Sequence, residues 1–186
     1  MRVETPGVSL GFTPDVARNI VISFPHSGTR TLQSWLDENR PELIAPNCEG
    51  VGHWHFTHHP KYIEKYFELA ETEGVKRRAY IPVRNLYDIA DSWQRRYSSE
   101  SVGKNASDMI VGLAMMIDCI DRYPDYIEVF KIEELPVLRG VGPNPEGWDK
   151  TAMTARMKEL RQWVLQTEVV EAFYRTYYTA EELWWL

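Results

Sequence analysis

Four of the five histidines in the chain fall within Gly52-His53-Trp54-His55-Phe56-Thr57-His58-His59-Pro60. Imidazole changes charge near pH ~6.5, so such a cluster suits metal ligation, acid–base work or a plain exposed loop. A zinc site would take His53 with His55, or His55 with His59. No cysteine or carboxylate set at a metal-ligand spacing accompanies them, and no metal is expected. Alternation along an extended segment places His53, His55 and Thr57 on one face, an arrangement that suits a proton acceptor. A second group is Phe24-Pro25-His26-Ser27-Gly28-Thr29-Arg30-Thr31. Gly28 permits close backbone approach, Ser27, Thr29 and Thr31 offer hydroxyl donors, and His26 or Arg30 offers positive charge, which together make a cradle for phosphate or sulfate. A third group is Arg84 with Ser92, in Pro82-Val83-Arg84-Asn85-Leu86-Tyr87-Asp88-Ile89-Ala90-Asp91-Ser92. Taken singly, Arg84 also reads as a surface ion pair with Asp88, and Ser92 as one more polar side chain.

These residues need elements to hold them. Asn19 to Phe24 is a short, β-branched, almost continuously apolar run, the pattern of a central strand buried on both faces of a parallel sheet. Leu32, Trp35 and Leu36 then recur at helical spacing up to Pro41, so a helix begins near Ser27 to Arg30. The unit repeats. Arg78 to Val83 reads as a strand, and Leu86, Ile89, Ala90, Trp93 and Tyr97 form a helical stripe after the capping residue Asn85. Helices are also expected over Lys61 to Glu73, Ala106 to Arg122, Thr151 to Val164 and Glu168 to Tyr178, with a third strand over Tyr126 to Ile132 and a Gly- and Pro-rich loop over Leu138 to Lys150. Strands alternating with helices imply an α/β fold with a mainly parallel central sheet. In such sheets ligands bind beyond the carboxyl ends of the strands, where the cradle and Arg84 both fall.

Composition narrows the classes. A length of 186 residues with 44% apolar content suits one domain over residues 1–186. A net charge of −6 argues against a general nucleic-acid binder, although Lys76, Arg77, Arg78, Arg84, Arg95 and Arg96 outweigh Asp88 and Asp91 around the third group. Cys48 and Cys119 are too few for a disulfide framework and point to a reduced, cytoplasmic setting. The longest apolar stretch, Met109 to Ile117, is broken by Gly112 and far short of the ~20 residues that a membrane span requires, and no leader is evident, so a soluble, complete chain with no membrane partner is expected. Met109, Met115 and Met116 read as core. The aromatic residues Phe173, Tyr174, Tyr177, Tyr178, Trp184 and Trp185 read as packing on the domain, the alternatives being an acceptor-site wall or a homodimer surface.

The first loop resembles the 5′-phosphosulfate-binding turn of the P-loop sulfotransferase superfamily, Pro-Lys/Arg-Ser-Gly-Thr-Thr. Arg84, Asn85, Asp88, Ile89 and Ser92 resemble its 3′-phosphate signature, Arg-Asn-Pro-x-Asp-Val-x-x-Ser. Phe130 to Leu135 is similar to its Tyr-Glu-Asp-Leu segment, and Arg139-Gly140 and Gly147-Trp148-Asp149-Lys150 loosely echo its Arg-Lys-Gly loop. The resemblance implies a three-layer α/β/α P-loop NTPase-like fold. It also implies sulfuryl transfer from 3′-phosphoadenosine 5′-phosphosulfate (PAPS) to an acceptor hydroxyl or amine, leaving adenosine 3′,5′-bisphosphate. By the same resemblance His26, Ser27, Gly28, Thr29, Arg30 and Thr31 hold the 5′-phosphosulfate, Arg84 and Ser92 hold the 3′-phosphate, and Thr57-His58-His59-Pro60 matches a Thr-His-x-Pro whose histidine is the base. His58 is then the first candidate base and His55 the second. Two departures bear on the chemistry. His26 stands where the family carries Lys or Arg, so its charge depends on neighbouring phosphates or is supplied by Arg30, and Thr31 stands where many members carry an adenine-stacking Trp. The spacing GxxxxGK[ST] is absent, which disfavours an ATP or GTP hydrolase. The alternatives are a P-loop small-molecule kinase, which would need magnesium and a phosphate-reaching lysine, and a non-catalytic nucleotide-binding module.

Overall fold

Ile20, Val21 and Ile22 leave the segment after Asn19 no polar face, and it forms strand β1 (Asn19–Ser23), with all three side chains fully buried. The computed structural model describes residues 13–45, 50–73, 77–86, 88–89, 92, 102–136 and 168–183. Helix α1 (Thr29–Asn39) follows β1, and Pro41 stops it by opening a 3-10 turn over Pro41–Leu43. Strand β2 (Gly52–His55), helix α2 (Pro60–Glu73) and strand β3 (Arg78–Val83) come next. Leu86, Asp88, Ile89 and Ser92 are helical. Helix α3 (Val102–Arg122), strand β4 (Ile127–Lys131) and helix α4 (Glu168–Tyr177) complete the order.

Two expectations are corrected. The histidine segment contributes a strand, β2, that apolar patterning passes over because Trp54 alternates with His53 and His55 across only four residues. Helix α3 begins at Val102 rather than Ala106, its first turn carrying Gly103, Lys104 and Asn105 in place of an apolar stripe. The Leu138 to Lys150 loop, the Thr151 to Val164 helix, Cys48, Lys76, Trp93, Arg95, Arg96, Tyr97, Trp184 and Trp185 lie outside the described residues.

The four strands form one sheet in the order β2-β1-β3-β4, every neighbouring pair parallel. Helices flank it. Alternate residues of β1 feed two apolar clusters, as a strand buried on both faces must. Ile20, Ile22 and Phe24 join Trp54 of β2 and Ile81 of β3 with Tyr66, Phe67, Leu113, Met116 and Tyr174 from α2, α3 and α4. Val21 joins Leu32 and Leu36 of α1 with Tyr80 and Ile132. Among the described residues no helix is long and apolar enough to cross a membrane.

This order sets the site. The chain leaves β1 toward β2 on one side and leaves β3 toward β4 on the other, so β1 and β3 flank a topological switch point. Pairing of β1 with β3 ends at Val21↔Tyr80, although β1 stays paired with β2 to Ser23↔His55 and β3 with β4 to Val83↔Lys131. Pro82, which has no N–H to offer, lies past that divergence.

Candidate anion and proton-transfer site

The loop after β1 turns within a few residues. His26 takes the left-handed conformation at φ 66° and Gly28 at φ 100°. The N–H and the hydroxyl of Ser27 both donate to the Phe24 carbonyl, at 3.3 and 2.7 Å. The fully buried Ser27 hydroxyl thus serves the turn. Gly28 caps α1 with no side-chain hydrogen bond, and its carbonyl accepts Leu32 N–H at 2.9 Å. A helix leaves its first N–H groups without partners inside it, so the start of α1 presents donors and a positive dipole end at the switch point. Thr29 and Thr31 are almost wholly buried there, and Arg30 is exposed. The loop lies so close on the turn after β4 that a Cβ on Gly28 would stand 2.7 Å from Cγ1 of Ile132.

The segment after β3 meets this loop directly. Arg84 is buried at 8% exposure, not a surface ion-pair residue, and its Nη1 donates to the His26 carbonyl at 3.1 Å. Ser92 Oγ lies 2.9 Å from His26 Nδ1. His26 is thus held by its backbone and by its ring, and both holders, Arg84 and Ser92, come from the third group. Glu133 positions the turn, taking the Asn85 N–H at 2.8 Å on one oxygen and the Tyr178 hydroxyl at 2.8 Å on the other. Tyr174 donates to the Arg84 carbonyl at 3.0 Å, and Asn85 Nδ2 donates to the Glu182 carbonyl at 2.9 Å. Burial, reinforced by the Glu133 carboxylate, holds both tyrosine phenols far above their ordinary range, so both keep the proton they donate. Sequence reasoning singled out Glu133 only as part of a similar segment and took Tyr174 and Tyr178 as packing. Their i, i+4 spacing on α4 and its continuation was the available signal.

The histidines stand on the other side of β1. In the register Ser23↔His55, the Ser23 hydroxyl lies 3.4 Å from His55 Nδ1 and 2.6 Å from Thr29 Oγ1, which connects the histidine strand to the first residue of α1. Ser23 was not among the expected site residues. His53 and His55 meet edge to face at 5.2 Å, and His55 meets His58 at 5.7 Å. His59 Nδ1 accepts the His55 N–H at 3.2 Å. Thr57 lies in the turn beyond β2, and His58 is exposed. Burial, followed by the fields of His53, His58 and His59, pushes His55 down to about 4. Burial also lowers His53, with His59 and Arg30 adding to it, and lowers His59, with His58 adding to it. The three are neutral at pH 7. No group of three or more His, Cys, Asp or Glu among the described residues is placed to hold a metal ion.

Comparison with family models, curated proteins and solved structures finds no match for this chain.

Proposed function

We propose that this chain transfers a sulfuryl group from PAPS to an acceptor hydroxyl or amine, on a three-layer α/β/α domain of P-loop type. The observation that carries the reading is the convergence on His26. Arg84 and Ser92, which resemble the 3′-phosphate signature, both bond the loop that resembles the 5′-phosphosulfate signature, at 3.1 and 2.9 Å. Two motifs far apart in sequence thereby flank one switch point. The N–H groups of α1 face the 5′ end of the donor, and the remaining N–H donors of the Arg84 guanidinium face its 3′-phosphate. In the transfer step the acceptor oxygen or nitrogen bonds to sulfur while the bond from sulfur to the bridging phosphate oxygen breaks. The electron pair leaves on that oxygen, and the acceptor's proton passes to a histidine of the β2–α2 segment. Charge developing on the leaving oxygen meets the helix N-terminus together with His26 or Arg30.

A second reading, a nucleotide-binding module without turnover, is favoured by one observation. His26, which stands for the family's fixed cation, has its Nδ1 engaged with Ser92. Calorimetric titration separates the readings: adenosine 3′,5′-bisphosphate is expected to bind more tightly than ATP with magnesium. Arg84→Ala is expected to weaken that binding ~10- to 100-fold, the worth of a charge-assisted hydrogen bond, with the fold checked by circular dichroism. No bisphosphate binding, or an unchanged affinity in a folded variant, overturns the donor site. Bisphosphate binding with no turnover on a panel of phenols, alcohols and amines selects the module.

A further inference from the structure

His55, at the end of β2, and His59, in the turn before α2, are both half-buried and both engaged through Nδ1, His59 with a backbone N–H and His55 with the Ser23 hydroxyl. The nature of that partner decides which of them can take a proton. We propose that His55 is held as the Nδ1–H tautomer by Ser23, which leaves Nε2 as the proton acceptor of the site, and that His59 is held as the complementary Nε2–H tautomer and acts as a donor. The assignment rests on the transfer reading for what is deprotonated, but not for the tautomers.

The argument starts with His59. A backbone N–H can only donate, so the His59 Nδ1 that receives the His55 N–H at 3.2 Å carries a lone pair, and in the neutral ring the proton sits on Nε2. Such a ring offers a hydrogen bond outward and cannot serve as a base there. His55 uses the same nitrogen toward a different partner. Its Nδ1 faces the fully buried Ser23, whose hydroxyl stands 3.4 Å away and is already joined to Thr29 Oγ1 at 2.6 Å. With the Ser23 proton given to Thr29, the hydroxyl oxygen is an acceptor for Nδ1–H. With the bond in that direction Thr29, the first residue of α1, has its own proton to offer an anion at the helix start, and such an anion aligns every bond of the chain. His55 Nε2 then takes the acceptor's proton as the acceptor–sulfur bond forms. The imidazolium so made is stabilised by its Nδ1–H bond to Ser23. Ser23 is a positioning residue because it acts through His55. His58, the first candidate from resemblance alone, is exposed, and its ring contacts are with the rings of His55 and His59.

Long-range proton–nitrogen NMR of the uniformly 15N-labelled full chain at pH 7, alone and with inorganic sulfate, tests this directly. The expected result is Nδ1–H for His55 and Nε2–H for His59, with the His55 preference lost in Ser23→Ala and retained in Ser23→Thr. An Nε2–H form for His55, or a Ser23→Ala spectrum unchanged at His55, overturns the proposal. In turnover with PAPS, His55→Gln is expected to cost ~10²- to 10⁴-fold and more than His58→Gln, and the reverse order overturns the base assignment. Absent turnover in the wild type overturns the transfer reading and the base role with it, whereas the opposite tautomers overturn the present assignment alone.

Discussion

Single residues of the site work under backbone and electrostatic constraints that make their replacement informative. Gly28 combines φ 100° with an Ile132 side chain where a Cβ would go. Gly28→Ala is expected to cost about 1–3 kcal/mol, read as a shifted urea midpoint. Gly28→Ala with Ile132→Ala should recover only the steric part, because the left-handed backbone persists. His55 makes stability depend on pH. In the unfolded chain its ring binds a proton below about 6.5, and in the folded chain only near 4, so between these values the unfolded state holds more protons. Its contribution is complete above 6.5 and is lost as pH falls toward 4, with His53 and His59 acting in the same sense. Urea midpoints measured at pH 7, 5.5 and 4.5 should fall in that order for the wild type. They should fall less steeply for His55→Gln.

At the scale of elements, α1 carries the anion loop and also sets the strand beside it. Gln33 and Asp37, one helical turn apart, take hold of Val51: Gln33 Nε2 donates to its carbonyl at 2.7 Å, and Asp37 Oδ1 accepts its N–H at 2.8 Å. The helix thereby supplies the start of β2 with the partners a strand would supply, and the histidines follow in fixed register. Asp37→Ala leaves the buried Val51 N–H without that acceptor and should cost about 1–3 kcal/mol in urea unfolding, with broadened His53 and His55 ring signals. The strand–turn–helix order around Gly28 and the strand ending at Arg84 were legible, because apolar runs, a glycine turn and a capping asparagine are local signals. The place of β2 in the sheet was not, since an extended stretch of four residues with two imidazoles lacks the apolar run of a buried strand. Nor was the inward turn of the Ser27 hydroxyl, a choice made by three-dimensional packing against the Phe24 carbonyl.

Across the whole molecule, the site is assembled from both ends of the chain. Ser23 and His26 come from the first strand and its loop, Arg84 from the third strand's end, and Tyr174, Tyr178 and Glu182 from the last described segment. Contacts of such sequence separation leave no mark on local pattern, so the dependence of Arg84 on Tyr174 had no signature beyond a spacing of aromatics. Tyr174→Phe is expected to cost about 1–2 kcal/mol by leaving the buried Arg84 carbonyl without its donor, and to weaken bisphosphate binding in parallel when followed by calorimetry. The divergence of β1 from β3 beyond Tyr80 gives the molecule one more property. It makes the sheet a pair of jaws, β2 with β1 and β3 with β4, joined along their lower halves. The anion loop rides on one jaw and Arg84 on the other. A ligand whose two charged ends reach both jaws acts as a staple across the gap, so its grip should register as slowed amide hydrogen exchange at Ser23 and Phe24, well inside the protein from the ligand itself.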